Sequence, residues 1–264
     1  MKMKRKKWPF VYVGVLTVIT YIPILLTVIY SFNESKITSV WEGFSLKWYA
    51  ELFADRSMRE ALMNSLVLAL LSCFFAVIIG TTGALGMHYK KSRANDVVAY
   101  ISMLPIMIPE IILGMVFLSI FSFMGLPFGM VTLVIAHTTF CIPYIYSMVK
   151  ARLAGMDKAL EEAALDLGAS PMRVFFDITL PLIMPAILSG SMLAFAMSFD
   201  DVVISIFVTG PTVNTLPVKI YTKLKSGITP EINALTTVML LFTIVLLAGA
   251  HLVSSRGKKE KLME

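Results

Sequence analysis

The sequence predicts an all-α integral membrane protein with six transmembrane helices. Of its 264 residues, 57% are hydrophobic and only 15% are charged, and the mean hydropathy is +0.80. Soluble domains carry roughly 25% charged residues, and a helix of about 20 apolar residues crosses a bilayer core. Stretches of that kind lie near 10–31, 61–86, 99–124, 130–149, 183–207 and 234–254. We expect residues 1–264 to form one transmembrane domain that contains them.

The N-terminal stretch, 10–31, begins like a secretory signal because it follows the basic segment MKMKRKK. The apolar region of a signal is shorter than about 22 residues, and no small-residue cleavage site follows this stretch. We therefore expect an uncleaved first span. The next segment, 32–60, carries Trp41, Trp48 and Tyr49, which are typical of structure lying at a membrane surface.

The basic residues indicate the topology. With the N-terminus in the cytoplasm, the inner segments hold 16 of the 23 Lys and Arg residues and the outer segments hold seven. Because cytoplasmic loops are enriched in Lys and Arg, this asymmetry predicts that both termini are cytoplasmic. The net charge of +6 is then mostly a topology signal, and no nucleic-acid binding is expected.

A charged insert, 150–182, separates the fourth and fifth spans. Asp157 is placed to cap a helix whose apolar residues recur at helical spacing. These residues are Leu160, Ala163, Ala164 and Leu167. Gly168 is expected to end this helix in a left-handed conformation, and Ser170 and Pro171 supply the N-cap and first residue of a second helix. A water-facing apolar face on two short helices suits contact with another protein.

The same insert carries a spaced motif. Its residues are Glu162-Ala163-Ala164, Gly168 after three more residues, Ile178 after nine, and Leu180-Pro181 after one. This spacing matches without departure the EAA motif with which permease subunits of ABC importers dock their ATPases. Four other segments are MLPIMIPEIILG at 103–114, AHTTFCIPY at 136–144, SFDDVVISIFVTGP at 198–211 and LPVKIYTKLKSGITPEINAL at 216–235. On these residues the chain resembles the PotC-type permeases of spermidine/putrescine importers, most closely between 100 and 235.

The resemblance implies the MetI-like fold of type I ABC importers, in a bacterial inner membrane. With a second, PotB-like permease, the chain would form the translocation path for spermidine or putrescine. Two PotA-like ATPases would dock on the insert, and a PotD-like extracytoplasmic protein would deliver the polyamine. The chain has no G-x-x-x-x-G-K-[ST] motif, so ATP and Mg²⁺ are expected on the ATPase and neither enzyme activity nor a cofactor is expected here.

Three acidic residues indicate the charge of the substrate. Glu110 lies in the third predicted span, and Asp200 and Asp201 lie in the outer half of the fifth, where an acid costs about 3 kcal/mol. The predicted spans contain no clear Lys or Arg to accompany them. A cationic substrate is therefore favoured, and a flexible polyamine suits spaced carboxylates better than a metal ion, which needs a compact oxygen cage.

Helical spacing places a polar face on the fifth span. Its members are Ser191, Ser198, Asp201, Ser205 and Thr209. Asp200 points about 100° away from Asp201, and Phe195 and Phe199 stand beside the polar face, where their rings suit an ammonium group. Each acid also has a structural alternative. An aspartate would bind a neighbouring helix or backbone donors near the kinked end of the fifth span, and Glu110 follows Pro105 and Pro109, which free carbonyls and distort the helix.

Other functions remain as alternatives. The nearest is an ABC permease for a different cationic or amine-bearing solute. An ion-coupled secondary carrier also holds acids in its spans, but it needs no docking insert, and inverted repeats are not evident here. A membrane enzyme is not supported, since HExxH and GxSxG are absent. Cys73 and Cys141 lie in apolar stretches, where a lone cysteine packs as a small hydrophobe, so no metal site is expected.

Overall fold

A computed structural model describes residues 8–36, 40–90, 94–226 and 230–260, and the predicted all-α class is confirmed for these residues. Their helices are α1 (Trp8–Tyr30), α2 (Lys47–Ala54), α3 (Arg56–Tyr89), α4 (Ala94–Met107), α5 (Glu110–Phe123), α6 (Met130–Ala154), α7 (Ala159–Asp166), α8 (Pro171–Val174), α9 (Leu180–Asp200), α10 (Val203–Val208), α11 (Leu216–Ser226) and α12 (Pro230–Glu260). A five-residue π-helical segment, Phe175–Thr179, joins α8 to α9. Extended pairing within the described ranges is limited to one isolated bridge, between Asn33 and Phe44.

Four helical stretches are long and apolar enough to cross a membrane. They are Val11–Tyr30, Arg56–Tyr89, Met130–Ala154 and Pro171–Asp200. The bent pair Asn95–Met107 and Glu110–Phe123 adds a fifth if it counts as one span, and Pro230–Val245 is a shorter apolar helix. The prediction of six spans therefore stays a prediction. The expected cytoplasmic ends, 1–7 and 261–264, lie outside the described residues.

The predicted third span, 99–124, is not one continuous helix. It divides into α4 and α5, whose axes differ by 109° across a break at Ile108 and Pro109. Proline disfavours helical geometry in the residue before it and lacks the amide proton that continues a helix. Pro109 has an extended ψ of 133° and stands at the N-terminus of α5, so Glu110 becomes the first residue of a new helix.

The predicted fifth span, 183–207, also departs from the expectation. The helix begins earlier, at Leu180, and ends at Asp200, and Asp201 adopts an extended ψ of 126° before the short helix α10 begins. The continuous polar face expected from Ser191 to Thr209 is therefore wrong, because the helix is interrupted between Asp200 and Val203. Asp201 caps the second helix instead of continuing the first, as described below.

The chain divides into two compact units, of which the larger comprises Glu60–Lys219 and Ile244–Glu264. Its core is centred on α6, which packs against α4, α5, α9 and α10. Ile145 of α6 is fully buried where two glycines face it: a Cβ on Gly80 would lie 3.1 Å from the Ile145 Cβ, and one on Gly190 would lie 3.2 Å from its Cα. Small residues allow membrane helices to approach closely. The helices α3 and α9 are thus fitted tightly against α6.

The smaller unit comprises Met1–Arg59 and Ile220–Thr243. Its α1 has no buried residue across the apolar window. The connection after α1 is ordered by Asn33, whose side chain donates to the Val40 carbonyl at 2.6 Å and whose carbonyl accepts from the Trp48 indole at 2.7 Å. Trp48 is consequently buried, whereas Trp41 is half exposed.

Candidate functional site

The insert, named the EAA loop (150–182), contains the predicted turn between two helices. Asp157 Oδ1 accepts the backbone N–H of Ala159, the first residue of α7, at 3.0 Å, but Lys158 occupies the N-cap, so the predicted cap lies one residue too early. Gly168 has a φ of +86°, and the backbone N–H groups of Gly168 and Ala169 bond carbonyls in the last turn of α7. A positive φ of this size favours glycine. The predicted left-handed end of α7 is confirmed.

The second helix of the loop also begins as predicted. Ser170 has an extended ψ of 151°, its hydroxyl accepts the backbone N–H of Arg173 at 3.3 Å, and Pro171 occupies the first helical position. This helix is not separated from α9, however. It continues through the π-helical segment into α9, and the wider turn falls directly before Pro181, which has no amide proton for a regular helical bond.

The motif residues are largely accessible in the chain. Glu162, Ala163, Gly168 and Pro181 are exposed, while Ala164, Ile178 and Leu180 are half-buried. None of the eight residues of α7 is buried, and Leu167 beside the turn is 89% exposed. An exposed apolar residue next to an exposed carboxylate is a surface that a protein partner can cover. The assignment of these residues to ATPase coupling stays a prediction.

The second group of interest is a buried polar cluster at the break between α9 and α10, formed by His137, Ser198, Asp201 and Ser205. His137 of α6 is fully buried. Its Nδ1 lies 2.8 Å from the Ser198 hydroxyl and its Nε2 lies 3.0 Å from the Ser205 hydroxyl. The imidazole thus joins the last turn of α9 to the first turn of α10, so His137 packs these helices together through hydrogen bonds.

Asp201 completes this cluster from the other side. One of its carboxylate oxygens accepts the Ser205 N–H at 2.8 Å and the Ser205 hydroxyl at 2.9 Å, and the other accepts the Ile204 N–H at 3.2 Å. The carboxylate lies 3.4 Å from His137 Nε2, and the Asp201 side chain is only 5% exposed. Aspartate favours such capping positions because its carboxylate accepts the unpaired amides of a helix start. This geometry supports the structural alternative for Asp201.

The other residues predicted for the substrate path lie in different surroundings. Glu110 and Asp200 are exposed in the chain. Phe195 and Phe199 are stacked with ring centroids 6.0 Å apart, and Phe199 is 3% exposed, so its ring is covered. Within the described ranges no hydrogen bond or ion pair joins Glu110 to either aspartate. Their shared role as a substrate path stays a prediction.

The structure also assigns contacts to residues that the motif does not include. Arg152, near the end of α6, donates from Nε to the Leu182 carbonyl at 2.8 Å. Glu161, directly before the motif, bonds hydroxyls on two other segments. Sequence spacing does not predict these contacts, because the partners lie far apart in the chain. The only sequence signal for Glu161 is its position next to Glu162 of the motif.

Comparison with known proteins identifies the family. Residues 72–256 match the family described as the binding-protein-dependent transport system inner membrane component. This range covers the buried polar cluster and the whole EAA loop. The chain belongs to that family. It is therefore a transporter component, the permease subunit of an ABC importer, which resides in the inner membrane.

Two curated relatives and one solved structure place the permease more closely. It is 39% identical to the putrescine transport system permease protein PotI of Escherichia coli K12, over 98% of this chain and 95% of the relative. It is also 39% identical to the spermidine/putrescine transport system permease protein PotC of the same strain, over 89% of each chain. A bacterial ABC transporter that imports the acidic polysaccharide alginate superposes with a TM-score of 0.75 at 18% identity, over 95% of this permease and 96% of that chain. The MetI-like fold is thereby shown.

Proposed function

We propose that this permease translocates polyamines, spermidine or putrescine, together with a second permease subunit. The observation that carries the proposal is the 39% identity to a putrescine permease over nearly the full length of both chains. Identity that is spread over the whole chain includes the membrane-embedded segments, in which a translocation path is built. In this proposal both termini face the cytoplasm, in agreement with the distribution of Lys and Arg.

The EAA loop is the proposed docking site for the partner ATPases. Its support is the combination of a complete motif and an accessible surface: α7 buries none of its residues, and Glu162 is exposed near the helix N-terminus. The positive end of a helix stabilises an acidic side chain, so Glu162 is held there as a charge available to a partner. ATP and Mg²⁺ would bind to that partner, and an extracytoplasmic binding protein would deliver the solute.

Exposed carboxylates are the proposed contacts of the cationic solute. Glu110 begins α5 at the break after Pro109, and Asp200 ends α9 at the break before Asp201. Irregular backbone within membrane depth is tolerated where it lines a cavity or is buried in protein. Both accessible acids thus stand at helix breaks, where discontinuous helices in transporters place their solute sites. The alginate importer shares this fold but carries an acidic polysaccharide, so the fold does not determine the charge of the residues that line a path. In this permease the exposed acids indicate a cationic solute.

The direct test is uptake of labelled putrescine and spermidine. The permease would be reconstituted in vesicles with its second permease, ATPase and binding protein, and uptake would be measured with and without ATP. We expect ATP-driven accumulation of at least one of the two polyamines. ATP-driven uptake of another amine with no polyamine uptake would favour the alternative of a permease for a different cationic solute.

The carboxylates are tested in the same vesicles. Glu110→Gln and Asp200→Asn keep the shape of each side chain and remove its charge, and both acids are exposed, so assembly should be unaffected. We expect polyamine uptake to fall about tenfold in each, the order of effect of losing one charge-assisted contact. Ser189→Ala, on the exposed surface of α9, is the control. Unchanged uptake in both acid variants would remove these residues from the path.

A further inference from the structure

A carboxylate on α7 connects the EAA loop to two other helical segments. Glu161 Oε1 accepts the Tyr89 hydroxyl at 2.6 Å and the Thr179 hydroxyl at 2.6 Å. Tyr89 is the last residue of α3, and Thr179 is the last residue of the π-helical segment that leads into α9. These three side chains, which we call the Glu161 clamp, join α7 to the ends of two span-length helices.

The carboxylate is the central member of the clamp. The Tyr89 and Thr179 oxygens are 3.2 Å apart, but each hydroxyl has a single proton. When both protons are donated to the ionised Glu161, the two hydroxyls do not bond each other. Hydrogen bonds to a charged acceptor are about twice as strong as bonds between neutral groups. The two helix ends are therefore held through Glu161.

Burial differs sharply across the clamp. Thr179 is fully buried, and Glu161 is half-buried, whereas the adjacent Glu162 is exposed. Because α7 buries none of its residues, packing contributes little to its attachment. Two neighbouring carboxylates on one helix thus have different surroundings. Glu162 is exposed, whereas Glu161 accepts hydrogen bonds from Tyr89 and Thr179 of the larger unit.

We propose that the Glu161 clamp transmits movement of α7 to α3 and α9 during transport. In this role Glu161 is a positioning residue for coupling, distinct from the residues that dock the ATPase. The inference rests on the proposed function, in which a partner ATPase binds the EAA loop. Movement of an exposed helix reaches distant segments through hydrogen-bond networks and rigid elements, and the clamp joins α7 to two helices of 34 and 21 residues.

The test separates docking from coupling in the assembled importer in vesicles. In Glu161→Ala, ATPase copurification should stay within about twofold of the wild type while uptake per ATP hydrolysed falls about tenfold, as expected for loss of a charge-assisted hydrogen bond. Glu161→Gln keeps an acceptor oxygen and should give an intermediate loss. Ser189→Ala, on the exposed surface of α9 and outside the EAA loop, should change neither quantity.

A pair of variants tests whether the clamp acts as a unit. Tyr89→Phe should lower uptake per ATP, and Tyr89→Phe combined with Glu161→Ala should be no worse than Glu161→Ala alone, because the shared contact is already lost. Additive losses would overturn the clamp, as would unchanged uptake per ATP in Glu161→Ala. If ATPase copurification falls as much as uptake, Glu161 belongs to the docking surface and the inference is wrong.

The substrate proposal fails in a different experiment. If wild-type vesicles take up no polyamine, the proposed solute is wrong, whatever the variants do. The clamp is then tested by measuring how much the binding protein stimulates ATP hydrolysis. This stimulation should be lost in Glu161→Ala and retained in Ser189→Ala. Equal stimulation in these two variants would overturn the clamp without any reference to the solute.

Discussion

The EAA loop and the buried polar cluster place their charged residues in opposite surroundings. On α7 no residue is buried, and Glu162 is exposed. In the cluster, His137, Ser198 and Ser205 are 2% exposed or less, and the carboxylate of Asp201 bonds two backbone amides and a hydroxyl. Exposed charges contribute little to folding and remain available to a partner. Buried polar groups cost free energy unless every partner is present.

This difference assigns separate consequences to mutation in the two regions. Changes in the cluster should act first on the folded state, because removing one group leaves another buried and unsatisfied. Changes at the exposed motif residues of the loop should leave the fold intact and act on assembly with the ATPase, whereas changes at Glu161 should act on coupling. The free energy of unfolding, measured on the purified permease complex in detergent, distinguishes the two.

The largest effect is expected for Asp201→Ala. The variant removes both carboxylate bonds to the backbone amides of α10 and the acceptor of the Ser205 hydroxyl, so we expect a loss of about 3 kcal/mol in the free energy of unfolding. The control is Asp200→Ala, whose side chain is exposed one residue earlier and should change stability by less than about 0.5 kcal/mol. Equal destabilisation by the two variants would contradict the burial argument.

A smaller loss, about 2 kcal/mol, is expected for His137→Phe, which fills the space but leaves the Ser198 hydroxyl buried without its partner. Denaturant unfolding would measure it. Adding Ser198→Ala should recover part of the loss, since the orphaned hydroxyl is removed with it. A double variant less stable than His137→Phe would show that Ser198 stabilises α9 by some other contact.

At the turn, Gly168→Val should cost about 1 to 2 kcal/mol in the local conformation, because a β-branched residue is strained at a φ of +86°. ATPase copurification should fall with it. Gly168→Asn provides the matched control, as asparagine tolerates left-handed geometry and no atom lies within 4 Å of the added Cβ. Similar copurification of the two variants would indicate that the turn does not orient the docking surface.

The smallest change in stability is expected for Glu162→Gln. An exposed substitution of this kind shifts the free energy of unfolding by less than about 0.5 kcal/mol, yet ATPase copurification should fall clearly if the exposed carboxylate binds a partner. Glu34→Gln, in the connection after α1, is an exposed control outside the EAA loop. Normal ATPase recruitment by Glu162→Gln would remove this carboxylate from the docking surface.

The loop was predictable in detail because its signals are local. The contact of Asp157 with the start of α7, the left-handed Gly168 and the helix start at Ser170 and Pro171 each depend on residues within one turn of each other. Local backbone preferences decide such features before any tertiary contact forms. The position of the motif on the inner side of the membrane, which the charge distribution indicates, stays a prediction.

The helix breaks were harder to predict because an apolar stretch of sequence has the same composition whether its helix is continuous or broken. Pro109 was recognised as a distortion, but its consequence, a bend of 109° between α4 and α5, depends on packing. Asp201 was placed on a continuous helical face, whereas its carboxylate and His137, 64 positions earlier in the sequence, stabilise a new helix start. A local sequence pattern does not show which side chain of another helix will contact a given residue.

The π-helical segment Phe175–Thr179 gives the EAA loop a sensitivity to length. A π turn holds about one residue more than an α turn, so regular winding would absorb the loss of one residue there. One residue inserted in the regular helix on either side would instead rotate everything before it by about 100° around the helix axis. Gly168 and α7 would then face a different direction although every motif residue was still present. Natural selection in this stretch should therefore tolerate replacements more readily than insertions, and the interval of nine residues between Gly168 and Ile178 sets the orientation of the loop.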